Sequence, residues 1–162
     1  MGRTPPAGLP ISPLRKDLMA GLERAIADQA AKAIVLIGAN GTFCAGADLK
    51  AIASGRGNVV TEPDASEIVG SLGPMGPSRR VLSKPVIAAI NGAAVGIGAT
   101  MTLPMDVRIA SEKARIGFVF GRLGIVPEAC STWFLPRIVG ISRALELVYA
   151  ADILDAHQAL DA

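Results

Sequence analysis

The sequence predicts an α/β fold with largely parallel sheets, and two features carry the prediction. Apolar runs at residues 33–37 and 86–90 suit buried strands, and each leads through a loop of glycine and other small residues into a helix. Strands that recur between helices are typical of parallel pairing. With 162 residues, 51% of them hydrophobic, residues 1–162 are expected to form one domain around one core.

The first helix is predicted from Ser12 to about Ala30. Ser12 provides a side-chain cap, and proline follows at the first helical position. Its apolar residues recur every four positions: Leu14, Leu18, Leu22 and Ile26. The buried strand 33–37 then ends in a turn at 38–41, and the small-residue loop 45–50 enters a short helix. Glycines and prolines predict irregular structure over 55–77.

The second half begins with the strand 86–90, which is apolar throughout and is predicted to be buried on both faces. A glycine loop follows over 92–98, and a short helix over 99–103 ends at Pro104. Strands are expected at 107–110 and 115–118, on either side of a turn at 111–114.

Three helices are predicted at the end of the chain. One runs over 130–139, with Trp133, Phe134 and Ile138 on its apolar side. Ser142 is expected to cap the next helix. Asp155 and Gln158 form the capping-box pattern of the last one.

Composition excludes several classes of function. A net charge of +2 and an aromatic content of 4% give no nucleic-acid footprint. Apolar runs are interrupted well before the roughly 20 residues that a membrane span needs, and no signal-peptide segment opens the chain, so a cytoplasmic protein without membrane contact is expected. Two cysteines and one histidine predict neither disulfides nor a metal site. Cys44 and Cys130 are interpreted as buried or half-buried residues.

The two glycine loops, near Ala47 and near Ile97, are the candidate functional elements. Backbone N–H groups at a helix start, together with the helix dipole, stabilise an oxygen that develops negative charge. Two such loops could present two converging donors. The alternative is that glycine only allows helix and strand to pack closely.

Three segments together resemble the crotonase family, the enoyl-CoA hydratase/isomerase superfamily. They are AIVLIGANGTFCAGADLK at 33–50, KPVIAAINGAAVGIGATMTLPMDVRIAS at 84–111, and the stretch 122–160 that begins RLGIVPEACSTWF. The resemblance implies a spiral of repeated ββα units and an acyl-CoA thioester as substrate, with no permanently bound cofactor. It also implies a homo-oligomer, either a trimer or a dimer of trimers.

The resemblance assigns roles to the two loops. It implies an oxyanion hole formed by the backbone N–H groups of Ala47 and Ile97. It also places recognition of the CoA adenine at Ala45, Asp48 and Leu49. A second role is open for Asp48, whose carboxylate could instead cap the helix that follows.

The acid or base of the site is predicted to be Glu128. In family hydratases two glutamates hold the water, and the matching positions here are Thr100 and Phe120, neither of which can act as a general base. A carboxylate at the position of Glu128 resembles the base of one branch of enoyl-CoA isomerases. Its apolar neighbours, Val126-Pro127 and Ala129, are expected to raise its pKa by desolvation. The alternative is that Glu128 caps the helix near Cys130.

An enoyl-CoA isomerase with one glutamate as proton shuttle is therefore the first functional hypothesis. A truncated, non-catalytic crotonase-like domain that binds CoA thioesters or assists assembly is the second, because the resemblance implies that the family's C-terminal helical region is lacking. An enoyl-CoA hydratase is the third. His157 is interpreted as a surface residue and Asp106 as a structural turn or ion-pair residue.

Overall fold

A computed structural model describes residues 11–46 and 84–162, with side chains from residue 17 onwards except that of Met19. The elements follow in chain order: α1 (Ile11–Ala27), β1 (Ile34–Ile37), a 3₁₀ turn (Ala39–Gly41), β2 (Val86–Ile90), β3 (Ala93–Val95), α2 (Ile97–Thr100), β4 (Val107–Ala110), β5 (Arg115–Gly117), α3 (Phe120–Leu123), α4 (Ser131–Val139), α5 (Ile141–Ala150), β6 (Ile153–Asp155) and α6 (Ala156–Leu160).

The described strands form two three-stranded sheets. The first has the order β1-β2-β4 and is parallel throughout. The second has the order β3-β5-β6, in which β3 and β5 are parallel and β5 and β6 antiparallel. The predicted α/β class with largely parallel pairing is confirmed.

Two hydrophobic clusters hold these elements together, and the segment that follows β3 contributes to both. The first cluster contains Leu22, Ile34, Val86, Ala88, Ile90, Ala94, Met101, Met105 and Ala114. The second contains Ala99, Leu103, Phe118, Phe120, Leu135, Ala144, Leu147 and Leu154. Since Met101 lies in one cluster and Ala99 in the other, α2 and the turn after it are fixed from two sides.

The strand β1 is only partly buried, so its prediction as a buried strand is wrong. Ile34 is buried, but the side chains of Val35 and Ile37 are 58% and 63% exposed. In the sheet register, Val35 lies beside Ile87 on β2. Ile87 is half-buried, so the prediction that β2 is buried on both faces is not fully met. A continuous apolar run does not reveal which face of a strand is covered.

The predicted glycine loop at 92–98 contains a short strand. Residues 93–95 form β3, which pairs with β5, and the following helix runs from Ile97 to Thr100 instead of over 99–103. The sequence did not indicate a strand at 93–95, because alanine has a low strand propensity. The predicted turn at 111–114 is present, with Ala114 N donating to Ser111 O at 2.8 Å. It carries the chain from β4 in one sheet to β5 in the other.

Three predictions about helices need correction. The helix α1 ends at Ala27, three residues before Ala30. Trp133, expected on the apolar side of α4, is 58% exposed, and the guanidinium of Arg137 stacks 3.3 Å from its ring centroid. Ile138 is 44% exposed as well. A cation over an aromatic face stabilises such an exposed ring.

The predicted cap at Ser142 is also wrong. The helix α5 begins at Ile141, and its N-cap is Gly140, whose φ of 80° is readily adopted by glycine. The capping box of α6 is confirmed, because Gln158 N donates to Asp155 Oδ1 and Asp155 N donates to Gln158 Oε1, both at 2.9 Å.

The start of α2 packs directly against Cys44, and this contact requires glycine at position 98. A Cβ on residue 98 would overlap the carbonyl oxygen of Cys44 and lie 2.9 Å from its Cβ. We expect Gly98→Ala to lower the free energy of unfolding by about 1–3 kcal/mol, as overpacking does. Urea denaturation measures this change.

Gly21→Ala is the matched control for Gly98→Ala. Gly21 lies inside α1, and the nearest atom to a Cβ there is Arg24 Nη2 at 3.9 Å. Alanine should therefore leave stability unchanged or increase it through helix propensity. Equal effects of the two substitutions would contradict the close packing of α2 on Cys44.

Candidate active site

The turn between β3 and α2 leaves backbone amides at the helix start. Gly96 adopts a φ of 58° and donates its N–H to Gly117 O at 2.9 Å. Ala99 and Thr100 both donate to Gly96 O at 3.0 Å. The amides of Ile97 and Gly98 therefore precede the first intrahelical hydrogen bond, where helices leave N–H groups for other acceptors. Ile97, a predicted donor, is thus placed at such a start.

The segment 44–46 runs beside β3 and brings the other predicted loop close to this turn. Cys44 N donates to Ala93 O at 2.8 Å, and Val95 N donates to Cys44 O at 2.9 Å. Gly46 has a φ of 103°, and a Cβ there would lie 3.1 Å from Val95 O. Ala45 is exposed. The predicted site residues Ala47, Asp48 and Leu49 lie outside the described residues, so their roles remain predictions.

Glu128 reaches α2 from the segment between α3 and α4. Thr100 Oγ1 donates a hydrogen bond to Glu128 Oε1 at 2.7 Å, and Thr100 is completely buried. The contribution of Glu128 to the start of α4 is made by its main chain, whose carbonyl accepts from Ser131 N at 3.0 Å. Because the carboxylate is bonded to α2, the geometry does not support the alternative that it caps the next helix.

The electrostatics of Glu128 suit a base. Burial raises the pKa of the Glu128 carboxyl above its ordinary value, and the hydrogen bond from Thr100 offsets part of that rise. The predicted direction of the pKa shift is therefore confirmed. A carboxylate whose pKa is raised toward neutrality accepts protons more readily.

Cys44 shares this environment. Burial is the main cause that raises the pKa of its thiol, the Glu128 charge raises it further, and a backbone hydrogen bond from Gly46 lowers it. The protonated thiol is favoured, which argues against a nucleophilic role.

Cys44 is half-buried as predicted, whereas Cys130 is exposed, contrary to prediction. Cys130 adopts a left-handed conformation with φ 56° as the N-cap of α4.

Three other residues considered from the sequence make no described hydrogen bond or ion pair with Glu128. Phe120 is 3% exposed and belongs to the second cluster. Asp106 is structural, because its Oδ2 accepts from Val86 N at 2.8 Å and its own N–H donates to Val86 O at 3.0 Å. His157 is exposed in the first turn of α6, as predicted.

The contact that sequence reasoning missed is the one between Thr100 and Glu128. In the sequence, Thr100 was notable only because it stands at a position where family hydratases carry glutamate. No local pattern links residues 28 positions apart, so this bond could not be found from the sequence. The resulting arrangement places a carboxylate next to a helix whose first amide, that of Ile97, lies about 4.5 Å along the axis from Thr100.

Other kinds of site receive no support from residues 11–46 and 84–162. Within these ranges no helix combines the length and apolar character needed to cross a bilayer. The same residues contain no group of three or more histidine, cysteine or acidic side chains arranged to hold a metal ion.

The raised pKa of Glu128 predicts a pH-dependent cost in stability. A carboxyl whose pKa is higher in the folded than in the unfolded state binds its proton more tightly when folded, so stability falls as pH rises through that interval. We expect Glu128→Gln to raise the melting temperature near neutral pH, with a smaller gain in acid. Scanning calorimetry at several pH values measures it.

Glu112→Gln serves as the control for this stability measurement, because Glu112 is exposed. It should change the melting temperature little at any of these pH values. A Glu128→Gln variant that is less stable than the unsubstituted chain near neutral pH would contradict the desolvation of Glu128.

Comparison with known proteins places this geometry in context. A family model described as enoyl-CoA hydratase/isomerase matches residues 12–162. An enoyl-CoA hydratase of Alternaria alternata is 41% identical over 148 residues, which cover 91% of this chain and 48% of that protein. The human peroxisomal bifunctional enzyme is 35% identical over 164 residues, covering 98% of this chain and 20% of the enzyme.

Solved structures are similar over the same stretch. A probable enoyl-CoA hydratase/isomerase from Mycobacterium abscessus matches with a TM-score of 0.77 and 38% identity, covering 92% of this chain and 55% of that one. An enoyl-CoA hydratase from Bacillus anthracis matches with a TM-score of 0.75 and 33% identity, covering 94% and 57%. The chain thus spans about half the length of the Alternaria relative and of these structures.

Proposed function

Because the chain belongs to the enoyl-CoA hydratase/isomerase family, we propose that it binds an acyl-CoA thioester and shifts a carbon–carbon double bond from position 3 to position 2. The observation that carries this proposal is the carboxylate of Glu128, held by Thr100 on the helix that begins with Ile97. The two positions where family hydratases carry glutamate hold Thr100 and Phe120. One carboxylate suits a proton shuttle better than the addition of water.

The proposed reaction uses one base and two amides. The thioester oxygen accepts hydrogen bonds from the backbone N–H groups of Ala47 and Ile97. Glu128 removes a proton from C2, and the electron pair moves into an enolate whose negative oxygen the amides stabilise. Glu128 then returns a proton to C4 while the double bond forms between C2 and C3. Proton and electrons balance without a co-reactant.

The remaining features of the proposal concern binding and assembly. Ala45, Asp48 and Leu49 are assigned to the CoA adenine, and coenzyme A enters only as part of the substrate. We also propose a homo-oligomer, a trimer or a dimer of trimers. Exposed apolar side chains on α5 support association, since Ile141, Leu145 and Tyr149 are 63%, 44% and 76% exposed. A cytoplasmic location stays a prediction.

Two other functions are kept as alternatives. A hydratase is favoured by relatives that are themselves named enoyl-CoA hydratases. The other is a non-catalytic domain that binds the thioester.

Incubation with a 3-enoyl-CoA, and separately with a 2-enoyl-CoA, distinguishes these functions. Isomerisation produces a conjugated 2-enoyl-CoA of unchanged mass, which ultraviolet absorbance and mass spectrometry detect together. A hydratase would instead add the mass of one water to a 2-enoyl-CoA. Binding of the thioester by calorimetry, without either product, would overturn the isomerase proposal in favour of the non-catalytic domain.

A further inference from the structure

We propose that Thr100 is a positioning residue that holds the Glu128 carboxylate in place for proton transfer. This inference rests on the proposed function, since it concerns the base of that reaction. Thr100 and Glu128 lie on different elements, and their hydrogen bond joins α2 to the segment between α3 and α4.

The geometry shows where the Thr100 hydroxyl directs its single hydrogen. Thr100 Oγ1 lies 2.7 Å from Glu128 Oε1 and 3.4 Å from Ile97 O, one turn earlier in the helix. A threonine hydroxyl inside a helix commonly donates to such a preceding carbonyl. Here the carboxylate is the much closer acceptor, and bonds to a charged acceptor are the stronger ones. The hydrogen therefore serves Glu128.

Glu128 needs such support because its own segment is irregular. Residues 124–130 form neither helix nor strand. Ala129 and Cys130 both adopt left-handed conformations, with φ of 54° and 56°, and Val126 is 79% exposed. Thr100, by contrast, is completely buried, and it lies between Ala99 of the second hydrophobic cluster and Met101 of the first. The hydroxyl thus ties a loosely supported base to a well-packed element.

The same bond couples the two parts of the proposed site. Thr100 follows Ile97 by three residues, so the hydroxyl that holds the base and the amide that would hold the thioester oxygen are carried by one helical turn. Their separation is then fixed by helix geometry. Since Thr100 engages Oε1, we assign proton transfer to Oε2.

Thr100 also acts on the protonation of Glu128. The ion pairs described are Arg122 with Asp152 and Arg143 with Glu146, neither of which involves Glu128. Among the residues that the structure describes, the Cys44 thiol interacts electrostatically with Glu128, and a thiol is not a cation. Donation from Thr100 favours the ionised carboxylate and opposes the rise in pKa that burial causes. Loss of the hydroxyl should therefore raise the pKa of Glu128.

Thr100→Val, which replaces the hydroxyl with a methyl group of similar size, tests this inference. We expect kcat/KM near neutral pH to fall about tenfold, as follows from the loss of a bond to a charged group. The acid limb of the pH–rate profile should move to higher pH. Thr100→Ser, which keeps the donor, should restore both.

Thr102→Val is the matched control. Thr102 is also buried, at 3% exposure, but its Oγ1 donates to Ala99 O at 2.7 Å, a purely structural bond. This variant loses a buried threonine hydroxyl from the same stretch of chain, and the pH profile should keep its position. If Thr100→Val does not fold, as judged by circular dichroism, Thr100→Ala replaces it.

A direct titration separates this inference from the proposed function. Carbon NMR of protein labelled at glutamate carboxyl carbons, with Glu128→Gln used for assignment, measures the pKa of Glu128 without turnover. The inference is supported if the pKa of Glu128 is higher in Thr100→Val and unchanged in Thr100→Ser. This support holds even if the chain does not isomerise its substrate. An unchanged Glu128 pKa in Thr100→Val, or the same shift in Thr100→Ser, would overturn it.

Discussion

Replacement of Glu128 by glutamine is expected to lower kcat for the isomerisation of a 3-enoyl-CoA by about 10²–10⁴-fold, the range that a positioned general base contributes. Glutamine keeps the size of the side chain and still offers Thr100 an acceptor oxygen, but it cannot take a proton from C2. Binding of the thioester should be largely preserved, because the substitution leaves the proposed amide donors and the proposed CoA-binding residues unchanged. Steady-state kinetics and calorimetric binding measure the two effects.

The control for this substitution is again Glu112→Gln, which removes an exposed carboxylate of the same type. Its kcat should equal that of the unsubstituted chain. A hydrated product formed by Glu128→Gln would show that another group activates water. If Glu128→Gln retained full isomerase activity, Glu128 would not be the base of the reaction.

The second large effect is expected from Ile97→Pro, which deletes the backbone donor itself. Proline is favoured at the first position of a helix, where the N–H makes no intrahelical bond. The preceding Gly96, with φ 58° and ψ −121°, already lies outside the helical region that proline disfavours in its predecessor. Loss of one oxyanion-hole donor should reduce kcat by about 10²–10³-fold.

Ile97→Val controls for the altered side chain, because it keeps the amide and shortens a side chain that is 8% exposed. Its kcat should remain within a few-fold of the unsubstituted value, at a stability cost of about 0.5–1.5 kcal/mol. If the proline and valine variants are equally active and both remain folded, the Ile97 amide does not hold the thioester oxygen.

Much of the fold was accessible from the sequence, because local patterns specified it. The crotonase-like fold is confirmed by the similarity to solved structures, and the capping box at Asp155 is present. Patterns failed where tertiary context decides. The apolar character of Ile37 did not reveal that it faces solvent, and that of Trp133 did not reveal that its ring is exposed with Arg137 stacked on it.

For the candidate site, the sequence suggested residues but not their geometry, and the roles of those residues remain predictions. Glu128 was identified by resemblance, and the raised pKa inferred from its apolar neighbours agrees in direction with the structure. The hydrogen bond from Thr100 was not predictable, because it depends on how α2 and the segment between α3 and α4 come together in space. The role of Ala47 as an oxyanion-hole donor remains a prediction, because Ala47 lies outside the described residues.

The most direct measurement is a crystal structure of the chain with a bound, unreactive acyl-CoA thioester. The proposed function predicts that the thioester oxygen lies about 2.7–3.1 Å from the backbone nitrogens of Ile97 and Ala47, with the Glu128 carboxylate beside C2. A thioester oxygen that accepts from neither amide, or a C2 atom beyond the reach of Glu128, would contradict it.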